Sequence, residues 1–173
     1  NCALYMGATP VFADVYADTL NIDPEEVVRK ITPQTKAILP VDYAGHPVDL
    51  DELLSLADKH GLVVIEDAAH ALGAEYKSRN VGSISHMTMF SFHPVKHITT
   101  GEGGIITTDN PDLARSMRNF RTHGINVEAR QRDGETNGPW FYEMVDLGFN
   151  YRLADLGCAL GISQLRRAPQ IIE

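Results

Sequence analysis

The chain is short of cysteine, of positive charge and of long apolar runs. Only two cysteines, Cys2 and Cys158, occur in 173 residues. Two thiols make no disulfide framework, and their scarcity fits a reducing compartment, so a cytoplasmic location is expected. Fifteen Lys and Arg stand against 23 Asp and Glu, for a net charge of −8. Nucleic-acid affinity rests on clustered cations, so this balance speaks against a general nucleic-acid binder and leaves room for a locally positive pocket. Apolar runs last only a few residues, as at Leu62–Ile65, too few to cross a bilayer. No Gly-x-Gly-x-x-Gly follows a strand pattern and no Gly-x-x-x-x-Gly-Lys-Ser/Thr occurs, which removes the main support for dinucleotide and P-loop readings.

What is present is globular. Hydrophobic residues make up 43% and charged residues 22%, and 19.1 kDa suits one ordinary domain with a sizeable core. The chain opens at Asn1 without Met and stops at Glu173 just after a helical pattern. A piece of something longer is expected.

Short β-rich runs alternate with helical patterns. Val11–Val15 reads as a strand. Asp23-Pro24-Glu25-Glu26 opens a helix, with Asp23 as its cap, Pro24 at the first helical position and acids in the first turn. Lys36–Val41 reads as a strand, and Leu50–His60 as a helix stopped by Gly61. The unbroken run Leu62–Glu66 predicts a strand buried on both faces. Met87–Phe92 and Gly104–Thr108 are further strands, Asn110-Pro111 starts a helix running to about Arg121, and Leu153–Arg166 is helical. The polar stretch from Gly124 to Glu143 reads as a loop. Strands alternating with helices imply an α/β fold with a mainly parallel sheet in a three-layer arrangement.

Ligands of such sheets bind beyond the carboxyl ends of the strands. Two of those ends carry chemistry. After Leu62–Glu66 come Asp67-Ala68-Ala69-His70, and after Met87–Phe92 come His93-Pro94-Val95-Lys96-His97 and Thr99-Thr100-Gly101-Glu102-Gly103-Gly104. Alone, Asp67 reads as a helix cap and Lys96 as a solvated lysine. Together they suit pyridoxal 5'-phosphate (PLP). That cofactor needs a Schiff-base lysine, and a carboxylate that keeps its pyridine nitrogen protonated. Ser91 offers a hydroxyl to a phosphate or substrate, or bonds to backbone in its strand. His70, three residues after Asp67, falls on the same side of a helical turn. His93 and His97 have metal-pair spacing, but Pro94 opposes a regular helix and no third ligand follows, so no metal is expected. Gly101-Glu102-Gly103-Gly104 leads into a strand, so it reads as a tight turn and not a phosphate cradle.

The run Val64-Ile65-Glu66-Asp67-Ala68-Ala69-His70-Ala71-Leu72-Gly73-Ala74, followed by Phe90-Ser91-Phe92-His93-Pro94-Val95-Lys96-His97-Ile98-Thr99-Thr100-Gly101-Glu102-Gly103-Gly104, resembles the DegT/DnrJ/EryC1/StrS sugar aminotransferases. The resemblance continues through Arg121-Thr122-His123-Gly124-Ile125 and Gly148-Phe149-Asn150-Tyr151-Arg152-Leu153 to Gln164-Leu165. Val41–Pro47, His70 and Trp140–Glu143 are most similar to the subgroup of UDP-4-amino-4,6-dideoxy-N-acetyl-β-L-altrosamine transaminases of pseudaminic acid synthesis.

The resemblance implies the aspartate-aminotransferase fold, with residues 1–173 as part of the PLP-binding large domain. A phosphate-binding N-terminal region and a C-terminal small domain would lie outside them. It implies Lys96 as the Schiff-base lysine, Asp67 on the pyridine nitrogen, His70 at the ring or its 3-hydroxyl, and Ser91 at the phosphate or substrate. It further implies Asn150 reaching the cofactor or substrate of a second subunit in a homodimer, and Arg152 as a candidate for the amino donor's carboxylate. Within the chain, Asn150 reads equally as the cap of the last helix, and Arg152 as half of a structural ion pair. The reaction implied moves an amino group from glutamate to C4 of a nucleotide-linked 4-keto-6-deoxy sugar. A sugar dehydratase of the same fold uses histidine where Lys96 stands, and a non-catalytic PLP-fold sensor would not need the Asp67/Lys96 pair.

Overall fold

The computed structural model describes residues 1–125 and 142–172. Most of the loop expected over Gly124–Glu143, with Trp140 and Phe141, lies outside them. A four-stranded sheet runs β1 (Ala37–Ile38), β2 (Val63–Asp67), β5 (Met87–Ser91), β6 (Gly104–Thr107) in that spatial order. β1, β2 and β5 are parallel, with Ala37 opposite Val63 and Asp67 opposite Met89, while β6 pairs antiparallel with β5, Ser91 opposite Gly104. The mainly parallel α/β sheet is therefore present. Two strands sit outside it as a hairpin, β3 (Glu75–Tyr76) and β4 (Arg79–Asn80).

Local chemistry sets most helix ends. α2 (Pro24–Lys30) begins where the Asp23 side chain accepts from the Glu25 N–H, with Pro24 in its first turn. α3 (Leu50–His60) stops at Gly61, whose left-handed φ of 64° admits no other residue as cheaply. α4 (Pro111–Phe120) starts under Asn110, whose side chain accepts from the N–H groups of Asp112 and Leu113. A short α1 (Cys2–Tyr5) precedes these.

Three readings need correction. Val11–Val15 forms no strand; only Val15 bridges, to Ile22. The strand over Lys36–Val41 shrinks to Ala37–Ile38, with a separate bridge from Val41 to Asp67. Pro40 has no N–H to continue the ladder between them. The last helix, α5, spans Asp155–Ile172 instead of Leu153–Arg166. It starts late because its approach is held extended: the Phe149 carbonyl accepts from His123 and the Tyr151 N–H donates to Arg121.

The core lies on one side of the sheet. Val64 packs with Ile38, Val48 and the α3 residues Leu50, Leu53 and Ala57, all buried. Strand residues alternate faces, so Val64, Glu66, Thr88 and Phe90 form a closed back face, every one buried. Ile65, Asp67, Met89 and Ser91 form the front face and are only half-buried. β2 is thus buried on one face, not both.

Candidate active site

The front face at the carboxyl edge collects the residues singled out above. Asp67 ends β2 and Ser91 ends β5, two residues beyond the Met89 that pairs with Asp67. The strand alternation puts both side chains on the same half-open face. One Asp67 oxygen accepts from the Ala69 N–H at 3.1 Å. No helix follows; Ala71 N–H closes a tight turn onto Ala68. The helix-cap reading of Asp67 and the helical-turn placement of His70 are both replaced by that turn, which leaves His70 exposed.

Lys96 lies in the loop joining β5 to β6, half-buried and engaged in no ion pair among the described residues. The loop is closed on itself. Phe92 donates to the Gly103 carbonyl at 2.8 Å, and the Phe92 carbonyl accepts from Thr100 N–H and the Thr99 hydroxyl. Ile98 is buried beneath it. Gly103 turns the chain at φ 153°, where a Cβ would meet the Thr100 hydroxyl at 2.5 Å. The Ser91 hydroxyl accepts from the His93 N–H at 3.3 Å, and Lys96 N–H bonds the His93 carbonyl. The structure so brings Asp67, Ser91 and the Lys96 loop to neighbouring strand ends. Among the described residues no His, Cys, Asp or Glu cluster could hold a metal.

Asn150 and Arg152 lie on the stretch that leads into α5. Asn150 is exposed, bridges to Thr122 and lies five residues before α5, so it does not cap that helix. Arg152 makes no ion pair among the described residues. It lines an open cleft of about 500 Å³ together with Thr100, Glu102, Gly103, Tyr151 and Leu153.

Four buried polar residues escaped the sequence reading. Asn21 ties the 43–47 loop: its amide donates to the His46 and Pro47 carbonyls, and its oxygen accepts from the Tyr43 N–H. Gly45, at φ 85°, lets that loop lie against the His70 backbone, since a Cβ there would sit 2.8 Å from the His70 oxygen. Behind Asp67, Asp42 and Glu66 are wholly buried, and the Thr88 hydroxyl donates to Glu66 Oε2 at 2.7 Å. Burial, and then the charge of Glu66, push the Asp42 carboxyl up to about 7. The available signal was Glu66 itself, an acid inside an apolar strand, which is rarely enclosed unless paired.

The residues present fit PLP in kind: an acid and a hydroxyl share the open face, the loop that follows Ser91 carries an amine, and small Ala68 and Ala69 lie in the turn after Asp67. Comparison with known proteins agrees. The model of the DegT/DnrJ/EryC1/StrS aminotransferase family matches residues 1–173. The chain is 46% identical over 167 residues to the spore coat polysaccharide biosynthesis protein SpsC of Bacillus subtilis, covering 96% of this chain and 43% of that protein. The solved aminotransferase from Psychrobacter cryohalolentis superposes with a TM-score of 0.91 at 43% identity, over 97% of this chain and 42% of that one. Helicobacter pylori PseC, an aminotransferase involved in the biosynthesis of pseudoaminic acid, superposes with a TM-score of 0.85 at 39% identity, over 96% and 42%. The chain thus spans less than half the length of these relatives. Among the described residues no helix is long and apolar enough to cross a membrane.

Proposed function

The chain belongs to the DegT/DnrJ/EryC1/StrS aminotransferase family, and from that premise we propose that the whole protein moves an amino group from glutamate to C4 of a UDP-linked 4-keto-6-deoxy amino sugar. The product would serve a surface polysaccharide, by the pseudaminic acid route, in the cytoplasm. The observation that carries this reading is the β2/β5 register, which sets Asp67 and Ser91 on one open face beside the Lys96 loop. PseC, the structural relative tied to pseudoaminic acid, supports the finer choice of sugar.

When bound, PLP supplies a ring that accepts electrons from the carbon bearing the amine. The chain's own residues do the rest. Asp67, whose carboxylate accepts from the Ala69 N–H, would keep the ring nitrogen protonated. Lys96 would hold PLP through its amine and, when that amine is free, would take the proton from the donor's α-carbon and return one for the ketosugar. Ser91 would bond the phosphate or substrate, and His70 would contact the ring or its 3-hydroxyl. Arg152 offers a guanidinium fork to the glutamate carboxylate from the cleft it lines. Protein outside residues 1–173 adds the phosphate-binding N-terminal region and a small domain.

The full-length protein, given glutamate and a panel of UDP- and dTDP-4-keto sugars, should aminate a UDP-linked substrate best. Borohydride reduction with peptide mapping should put the pyridoxyl group on Lys96. A label on Lys77, or none, overturns the lysine's role, and preference for dTDP sugars overturns the substrate.

Asn150 serves the active site of a second copy. It is exposed and caps no helix among the described residues, and a two-fold interface would make such a contact twice. Lys96→Ala and Asn150→Ala subunits, each nearly inactive alone, should recover activity when mixed, because a mixed dimer gathers both lesions in one site. Mixing that restores nothing overturns the shared site.

A further inference from the structure

The geometry points to Asp42 and Glu66 as a carboxyl pair that shares one proton and positions Asp67 from behind the sheet. Both residues are wholly buried. Each has one oxygen occupied: Asp42 Oδ1 accepts from the Val48 N–H at 3.1 Å, and Glu66 Oε2 from the Thr88 hydroxyl at 2.7 Å. Their remaining oxygens, Asp42 Oδ2 and Glu66 Oε1, have no hydrogen-bond partner, and the Val41–Asp67 bridge sets Asp42 and Glu66, one residue to either side, on the same closed face. Two wholly buried carboxylates with bare oxygens on one face cannot both stay ionised, and a proton shared between those oxygens would satisfy both. No ion pair among the described residues involves either acid. The charged groups acting on Asp42 are Glu66 and Asp67, both acids. Among the described residues only that proton neutralises the pair, and Asp42 carries it as donor.

The link to Asp67 is through the backbone. Asp42 N–H donates to the Asp67 carbonyl at 3.0 Å, and Asp67 N–H donates to the Pro40 carbonyl at 2.9 Å. Residues 40–42 therefore bracket the end of β2. Glu66, one residue earlier, points to the opposite face from Asp67. The Asp42–Glu66 bond clamps the bracket on the closed side, so the Asp67 carboxylate projects from a fixed backbone on the open side. Burial raises Asp42 from an ordinary 3.8 to about 7. The folded state thus keeps a proton that the unfolded or locally opened chain releases above about 4. The bracket is at its tightest below that pH, loosens as pH rises to about 7, and changes no further above it.

The test uses the full-length protein and needs no cofactor, so its failure is separate from failure of the transaminase reading. Infrared spectra of the wild type at pH 6 should show a protonated buried carboxyl band that fades through pH 7 and is missing from Asp42→Asn. Asparagine keeps both bonds without a titratable proton: its oxygen accepts from Val48 and its amide donates to Glu66. The melting temperature of Asp42→Asn should therefore climb relative to wild type between pH 4 and 7 and stay level above. Over the same window, hydrogen exchange at the Asp67 amide should speed up in wild type relative to Asp42→Asn, by at most about tenfold per pH unit. Glu66→Gln, whose amide donates to an ionised Asp42, should likewise lack the band. A wild type without the band at pH 6 overturns the shared proton. Equal exchange at Asp67 in wild type and Asp42→Asn across the window overturns the positioning role.

Discussion

The two faces of the β2–β5 ladder carry similar side chains to opposite ends. On the back, Glu66 and Thr88 are enclosed with Val64 and Phe90, and their polar atoms bond one another. On the front, Asp67 and Ser91 stand half-buried at the same strand ends, their side chains bonded among the described residues only to nearby N–H groups. An acid one residue along a strand thus changes from a structural group to one with spare bonding capacity. The difference teaches that strand parity sets which groups are enclosed and paired, behind the sheet, and which keep free bonding capacity, in front.

Substitutions on the two faces should therefore separate activity from stability. The largest effect is expected from Lys96→Ala in the full-length enzyme: kcat/KM should fall by about 10³-fold or more, with the melting temperature of the cofactor-free protein unchanged. Leu53→Ala, behind the sheet and wholly buried, should lose about 3 kcal/mol in denaturant unfolding and keep its turnover per folded molecule. Asp67→Asn should slow turnover by roughly 10²-fold yet stay folded and bind PLP, because the amide oxygen still accepts from Ala69. Near-normal turnover would show that Asp67 only holds its turn. Asn110→Ala, at the start of α4 and on neither face, should cost about 1 kcal/mol of stability and leave kinetics alone. If Lys96→Ala melts early or Leu53→Ala is slow per folded molecule, the division between faces fails.

How far the sequence reaches can be judged element by element. The starts of α2 and α4 and the end of α3 are set by Asp23, Asn110 and Gly61, whose effects are local and so can be read from neighbours alone. The strands carrying Asp67 and Ser91 were readable for the same reason, as short apolar runs. Pairing decides what could not be read. Val11–Val15 has the composition of a strand and lacks a neighbour to complete a ladder. The β3–β4 hairpin turns through Lys77 and Ser78, both at positive φ, where Asn-Gly would have announced it. The exposed placement of Asn150 depends on Arg121 and Thr122, nearly thirty residues away. Asp42 and Glu66 are separated by 24 positions, and no periodicity links them.

Asn21 carries a lesson for anyone rebuilding this enzyme. The 43–47 segment, which rests on His70 through Gly45, is an obvious target for loop grafting between relatives with different sugars. Its shape is held from 22 residues upstream, by an amide with 4% exposure that grips Tyr43, His46 and Pro47 at once. A transplant that carries the loop without its anchor should arrive misshapen, and one that carries both should be portable. The smallest exchangeable unit is discontinuous in the gene, so library designs that shuffle contiguous blocks will divide it.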